Sequence, residues 1–144
     1  MKTINCTVYL FALFSVLALN ASAQGEDYIY TKAGSAVTIT GYTGAGGDLV
    51  IPSVIDGLPV TTIGVNAFAG NELITSVVVP NTVVEIDNFA FIFCQNMTNV
   101  VLSDSLTRIG KYAFGDCYAL TEAICIEIEE VMRKGEMSLR TSAK

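Results

Sequence analysis

The stretch IGKYAFGDC, from Ile109 to Cys117, is the last of three closely related phrases in this chain of 144 residues. IDNFAFIFC occupies Ile86 to Cys94, and IGVNAFAGN occupies Ile63 to Asn71, so the copies start at positions 63, 86 and 109, at a constant interval. A fixed period of about 20 to 50 residues is typical of solenoids and other repeat architectures. The sequence therefore predicts that the three phrases are equivalent units of one stacked structure.

The columns of this repeat predict a core made of ladders. The copies are linked by apolar phrases in which Val77 and Val79 alternate with other residues, which places both side chains on one face of a strand. One such strand cannot bury its face alone, but stacked copies can. Because neighbouring strands lie about 4.8 Å apart, equivalent side chains should stack. We therefore expect the column of Phe68, Phe91 and Phe114 to form an internal aromatic spine.

Two further columns concern backbone conformation and the cysteines. Gly64, Asp87 and Gly110 share a column, which we interpret as a turn that needs a left-handed backbone. Cys94 and Cys117 also share a column, one rung apart. Parallel stacking should hold their Cβ atoms wider than the roughly 3.8 Å that a disulfide prefers, so we expect buried thiols. Cys125 falls on a predicted inward strand position and should be buried in the same way.

The repeated phrases resemble the BspA-like leucine-rich repeats, whose pattern is approximately IGxxAFxxCxxLxxVxIPxxVxx. The match extends from Leu49 to about Cys125. The resemblance implies a leucine-rich repeat solenoid, a right-handed superhelix built mostly from short parallel β-strands with turns and 3-10 segments. It also implies secreted or surface proteins of bacterial type that serve in adhesion and protein recognition rather than catalysis.

Four segments are expected along the chain. Lys2, the apolar run from Val8 to Leu19 and the small residues before Gln24 predict a secretory signal peptide over residues 1–23. The apolar run is too short to span a bilayer, which needs about 20 residues. Residues 24–47 should form a strand-rich lead-in, and residues 48–125 should form the repeats.

The last segment, residues 126–144, departs from the repeat. Glu129 lies four residues before Arg133, and Glu130 lies four residues before Lys134, which supports a helix. Two interpretations stand side by side. The segment is either a polar helical cap, which closes the open core of a solenoid, or sequence that follows a truncation or frameshift.

Composition excludes several classes of function. The chain has no histidine, which removes Ser-His-Asp and Cys-His catalytic relays and imidazole metal sites. Lys2 is the only charged residue of the predicted signal peptide, so residues 24–144 carry a net charge of −7. That charge disfavours nucleic acid as a partner. The glycine-rich stretch GYTGAGGD from Gly41 to Asp48 lacks the spacing of a dinucleotide loop and predicts a turn between strands.

One surface feature follows from strand alternation. If Val77 and Val79 point inward, Val78 points outward, and equivalent positions should form an exposed apolar stripe made of Val50, Val78, Val101 and Ile124. Contiguous exposed apolar patches often mark interfaces, although β-branched residues also favour exposed strands for reasons of propensity alone.

The sequence therefore predicts a non-catalytic protein-binding module that is secreted or held at the cell surface. Its expected partner is a protein, such as one on a host or neighbouring cell, and no cofactor, metal, nucleic acid, small-molecule substrate or membrane span after signal cleavage is expected. The alternative is a truncated or N-terminal structural fragment of a longer surface protein, without a binding function of its own.

Overall fold

The computed structural model describes residues 26–142. The predicted signal peptide, residues 1–23, lies outside these residues. Within residues 26–142, nine strands and one helix follow in chain order: β1 Tyr28–Ala33, β2 Ala36–Tyr42, β3 Gly47–Val50, β4 Val54–Ile55, β5 Leu58–Ile63, β6 Ile74–Val78, β7 Glu85–Ile86, β8 Asn99–Val101, β9 Arg108–Ile109 and α1 Glu122–Ser142. The glycine-rich stretch connects β2 to β3, as the sequence predicts.

The strands form two sheets. Sheet 1 has the order β1-β2-β5-β7-β9, with β4 paired to β5, and sheet 2 has the order β3-β6-β8. β1 and β2 form an antiparallel hairpin, and β4 is antiparallel to β5, whereas the other pairs are parallel. The chain passes from sheet 2 to sheet 1 in each unit and returns through the Ala-Phe segment. This arrangement is a solenoid of about three turns and confirms the predicted fold class.

The core between the sheets consists of ladders of equivalent residues. Ile39, Ile63, Ile86 and Ile109 are register partners across sheet 1. Each of these side chains is buried, three of them completely. Such repetition buries a continuous apolar column, which no single coil could do alone.

The aromatic column stacks face to face. The ring centroids of Phe68 and Phe91 are 4.7 Å apart, those of Phe91 and Phe114 are 5.2 Å apart, and both pairs are nearly parallel. Tyr42 continues the column beyond Phe68 at 5.6 Å, and Tyr28 contacts Tyr42 at 5.2 Å. The lead-in hairpin therefore covers the first end of the aromatic column with two rings from outside the repeat.

The left-handed backbone positions differ from the predicted ones. Gly64, Asp87 and Gly110 have no positive φ, so that prediction is wrong. Two other columns of the repeat adopt the left-handed conformation: Asn66, Phe89 and Tyr112 with φ of 58°, 60° and 54°, and Gly70, Phe93 and Asp116 with φ of 68°, 61° and 55°. Gly110 is required for close approach instead, because a Cβ there would lie 2.6 Å from the carbonyl carbon of Asp87 and closer still to the backbone nitrogen of Asn88.

Helix α1 confirms the predicted C-terminal helix, but it starts four residues before the expected segment. Its first residue, Glu122, stands one repeat after Asn99, where the next strand of sheet 2 would begin. Glu122 places a negative charge at the positive end of the helix dipole. Ile124, Ile128, Val131 and Met132 recur at helical spacing and face the core. The helix packs on β9 and so covers the last coil.

This helix corrects two predictions. Ile124 was expected to point outward from a strand, but it is buried on the inner face of α1. Cys125 was expected to be buried, but it is exposed. The cause is the same in both cases. Every second residue of a strand faces the core, whereas the period of a helix is 3.6 residues, so a helix in place of the expected strand changes which residues are buried. Within residues 26–142, no helix is long and apolar enough to cross a membrane.

Candidate binding faces

The outer face of sheet 2 carries two parallel rows of side chains. Strand register aligns Val50, Val78 and Val101 in one row and Asp48, Ser76 and Asn99 in the other. Val101 is 48% exposed, whereas Val50 and Val78 are half-buried. Leu49, Val77 and Val100, between these rows in sequence, are buried in the core. Three of the four residues of the predicted stripe therefore lie side by side, and Ile124 does not join them.

The polar row is ordered by hydrogen bonds from β6 to β3. Thr75 Oγ1 and Ser76 Oγ both donate to Oδ1 of Asp48, at 2.9 Å and 2.7 Å. These bonds lower the pKa of Asp48, and the bond from Ser76 has the larger effect. This carboxylate therefore stays ionised in mildly acidic solution. A fixed negative charge therefore lies beside the apolar row at the outer edge of the sheet.

The outer face of sheet 1 has a different character. Thr62, Glu85 and Arg108 are register partners there, and the Arg108 guanidinium pairs with the carboxylates of Glu85 and Asp87. Lys32 and Asp56 form another ion pair, at 2.9 Å, near the lead-in hairpin. Because its charges are paired within the face, sheet 1 is the weaker candidate for an apolar contact.

A third surface consists of exposed aromatic side chains on the Ala-Phe segments. Phe93, Tyr112 and Tyr118 are 47%, 55% and 74% exposed. Tyr112 stacks on Phe89 with centroids 5.7 Å apart, and Lys111 Nζ lies 5.0 Å from the centroid of the Tyr112 ring. Lys111, Tyr112 and Asp116 are all exposed, and the sequence did not predict this aromatic grouping.

A sequence signal for the aromatic surface does exist. In the first copy, the two left-handed columns hold Asn66 and Gly70. Asparagine and glycine are residue types that tolerate this conformation. Later copies replace them by Phe89, Tyr112 and Phe93, although a left-handed backbone is a genuine outlier for a bulky side chain. Recognising this signal requires knowing which columns are left-handed, and that information came only from the structure.

The thiols of the cysteine column are held inside the core. Cys94 Sγ donates to the carbonyl oxygen of Phe68 at 3.2 Å, and Cys117 Sγ donates to that of Phe91 at 3.1 Å. Burial raises the pKa of Cys94 to about 12 and that of Cys117 to about 11. Neutral, buried thiols of this kind are poor nucleophiles. Their arrangement is structural rather than catalytic.

These pKa values predict a loss of stability in alkali. An unfolded thiol ionises near pH 8.5, whereas Cys94 stays protonated in the folded chain to about pH 12. The stabilising contribution is therefore complete below about pH 8 and is lost as the pH rises toward 12. Above pH 9, the advantage of the wild type over a Cys94→Ser variant should shrink by about 1.4 kcal/mol for each pH unit. Urea unfolding of both proteins at pH 7, 9 and 10 measures the difference between their free energies of unfolding. A difference that does not change with pH would contradict the prediction.

Other sites are small or absent among residues 26–142. No group of three Cys, Asp or Glu residues there could hold a metal ion. Several clefts open beside α1, and two of them also border the repeat. One, of about 330 Å³, is lined by Asn88, Arg108, Lys111 and Met132, and the other, of about 260 Å³, lies between α1 and the last Ala-Phe segment.

Comparisons with known proteins agree with this geometry. The sequence model of the BspA type leucine rich repeat region matches residues 56–137 in six copies, which extends past Cys125 into α1. No curated protein matches the chain.

Solved structures of leucine-rich repeat proteins are also similar. TpLRR of T. pallidum is 34% identical with a TM-score of 0.64, and the match covers 66% of this chain and 45% of that one. A leucine rich cell surface protein of Faecalibacterium prausnitzii is 35% identical with a TM-score of 0.60, covering 67% and 28%. A leucine-rich repeat protein of Bacteroides capillosus is 32% identical with a TM-score of 0.62, covering 68% and 77%. The match thus spans less than half the length of the first two of these proteins.

Proposed function

The chain belongs to the family of BspA-type leucine-rich repeat proteins, and from that premise we propose that it is a non-catalytic module that binds a protein partner at the cell surface. The family suggests a protein-interaction module. The finer proposal is that the partner is a protein on a host or neighbouring cell and that the outer face of sheet 2 contacts it.

The valine row is the observation that carries this proposal. Val50, Val78 and Val101 present a continuous apolar strip, and the row of Asp48, Ser76 and Asn99 runs beside it. An apolar centre with a polar rim is the usual anatomy of a protein–protein interface. The strip is narrow, so we expect a weak or transient contact rather than a permanent one.

Rigidity also favours this face as a binding surface. The three strands are hydrogen-bonded to one another, and Leu49, Val77 and Val100 anchor them in the core. β-Branched side chains on such strands have few rotamers to lose on binding. A partner would therefore meet a surface that is already organised, which reduces the entropic cost of association.

Two observations support an extracellular location. The N-terminal segment has the sequence features of a secretory signal peptide, and one of the similar structures is described as a cell surface protein. Both are consistent with a role in adhesion, in which a repeat surface meets proteins of another cell.

The test compares two variants with equal changes in charge. The double variant Val78→Glu, Val101→Glu places two carboxylates in the valine row, and the control Val65→Glu, Val84→Glu places two at exposed valines outside sheet 2. We expect both variants to keep the circular dichroism of the wild type, because all four positions are at least partly exposed. Only the first variant should lose most of the binding of fluorescently labelled protein to intact cells.

A second arm of the experiment identifies the class of partner. Treating the cells with protease before adding the labelled wild type should abolish binding if the partner is a protein. Binding that survives protease, or that is equal for the two double variants, would overturn the proposal.

A further inference from the structure

Two thiols line the 260 Å³ cleft between helix α1 and the last coil. Cys117 projects from the last coil, and Cys125 lies in the first turn of α1. Phe114, Ile128 and Met132 provide much of the remaining apolar lining. Cys117 is 8% exposed, and its thiol donates to the Phe91 carbonyl, whereas Cys125 is exposed.

The chain between the two cysteines folds back on itself. Leu120 N donates to Cys117 O at 3.1 Å, which reverses the chain directly after Cys117. Cys125 N donates to Thr121 O at 3.1 Å, which forms the first turn of α1. After this turn and the first helical turn, Cys125 lines the same cleft as Cys117. The pKa of Cys117, raised chiefly by burial, is also raised to a lesser degree by the charge of Cys125, which agrees with their proximity.

We propose that Cys117 and Cys125 form a disulfide under oxidising conditions, which ties helix α1 to the last coil of the solenoid. This pairing does not depend on the proposed binding function.

The chemistry is thiol–disulfide exchange with a small disulfide such as oxidised glutathione. The exposed Cys125 thiolate attacks one sulfur of the oxidant, forms a mixed disulfide and releases one glutathione thiolate. Burial raises the pKa of Cys117 to about 11, so only a small fraction of its thiol is ionised at mildly alkaline pH, but that fraction attacks Cys125 Sγ within the same cleft and releases the second glutathione. The two cysteines lose two protons and two electrons, and the oxidant accepts both as it becomes two thiols.

The other cysteine of the core is not available for this reaction. Cys94 is completely buried and does not line the cleft. It is in the same ladder column as Cys117, where parallel backbones hold equivalent Cβ atoms too far apart for a relaxed bridge. Cys125 has no such restriction, because it lies on helix α1 and not in this column.

Peptide mapping of the full chain tests the pairing directly. The purified protein is treated with oxidised glutathione, blocked with an alkylating agent and digested with trypsin and a glutamate-specific protease. Cleavage after Glu122 separates Cys117 from Cys125, so a bridge appears in mass spectrometry as two peptides that remain linked until reduction. We expect this linked pair, with Cys94 recovered as a free, alkylated thiol.

Thermal unfolding gives the second measurement. A bridge that closes a loop this short should raise Tm by roughly 10 °C, and dithiothreitol should reverse the rise. A Cys125→Ser variant should show no redox-dependent Tm, and because Cys125 is exposed this variant should fold normally. A persistent glutathione adduct on Cys125, a dimer linked through Cys125, or a bridge between Cys94 and Cys117 would each overturn the proposal.

Discussion

Replacing Phe91 by alanine should destabilise the chain by about 3–5 kcal/mol, the usual cost of removing a buried phenylalanine. Phe91 is completely buried, and its ring lies between Phe68 at 4.7 Å and Phe114 at 5.2 Å. The substitution leaves a cavity and also removes the stacking partner of two neighbouring rings. Since small domains have a total stability of about 5–15 kcal/mol, the variant should be partly unfolded at physiological temperature. Urea unfolding followed by circular dichroism measures the loss.

Phe93→Ala is the matched control for this prediction. Phe93 is in the same copy of the repeat, but its side chain is 47% exposed and takes no part in the aromatic column. We expect its unfolding free energy to change by about 0.5 kcal/mol or less, as is usual for surface substitutions. Equal losses for the two variants would show that the aromatic column does not support the core.

Gly110→Ala should have the second largest effect, about 3 kcal/mol, at the upper end of the cost of overpacking. A Cβ at this position would lie 2.6 Å from Asp87 C and closer still to Asn88 N, which are backbone atoms of the preceding coil. Neither atom can move away without breaking the spacing between coils. The substitution should therefore lower Tm by forcing the last two coils apart.

Gly115→Ala in the same copy is the control. Its nearest neighbour would be Cβ of Tyr112, at 3.2 Å, and Gly115 has no positive φ. A shift of a few tenths of an ångström would relieve that contact, so we expect a loss well below that of Gly110→Ala. If the two alanine variants have the same unfolding free energy, close approach of the coils is not the reason for glycine at position 110.

The ladders could be predicted because each consists of residues that occupy the same position in successive copies of the repeat. When a chain repeats at a constant interval, equivalent side chains enter equivalent environments, and the strand spacing of about 4.8 Å stacks them. The alignment of Phe68, Phe91 and Phe114 and the outward orientation of Val78 and Val101 needed no further information. The family match over residues 56–137 agrees with this assignment.

The features that were missed depend on contacts between coils. Gly64, Asp87 and Gly110 suggested a left-handed turn, since glycine is compatible with one, but at Gly110 glycine is needed because Asn88 of the preceding coil approaches closely. Ile124 and Cys125 still fit the alternation of a strand, whereas α1 had already begun at Glu122. A local pattern cannot show which neighbour will occupy the space beside it.

The sequence by itself determined the period, the inward columns and the outward valines of this protein, because these follow from the geometry of a strand and from repetition. Only the tertiary structure decided which residues are left-handed, where the repeat yields to a helix and which two thiols share a cleft. Each of these depends on the position of a neighbouring coil or of helix α1 in space. When packing brings side chains of different elements together, their own local sequence does not predict the contact.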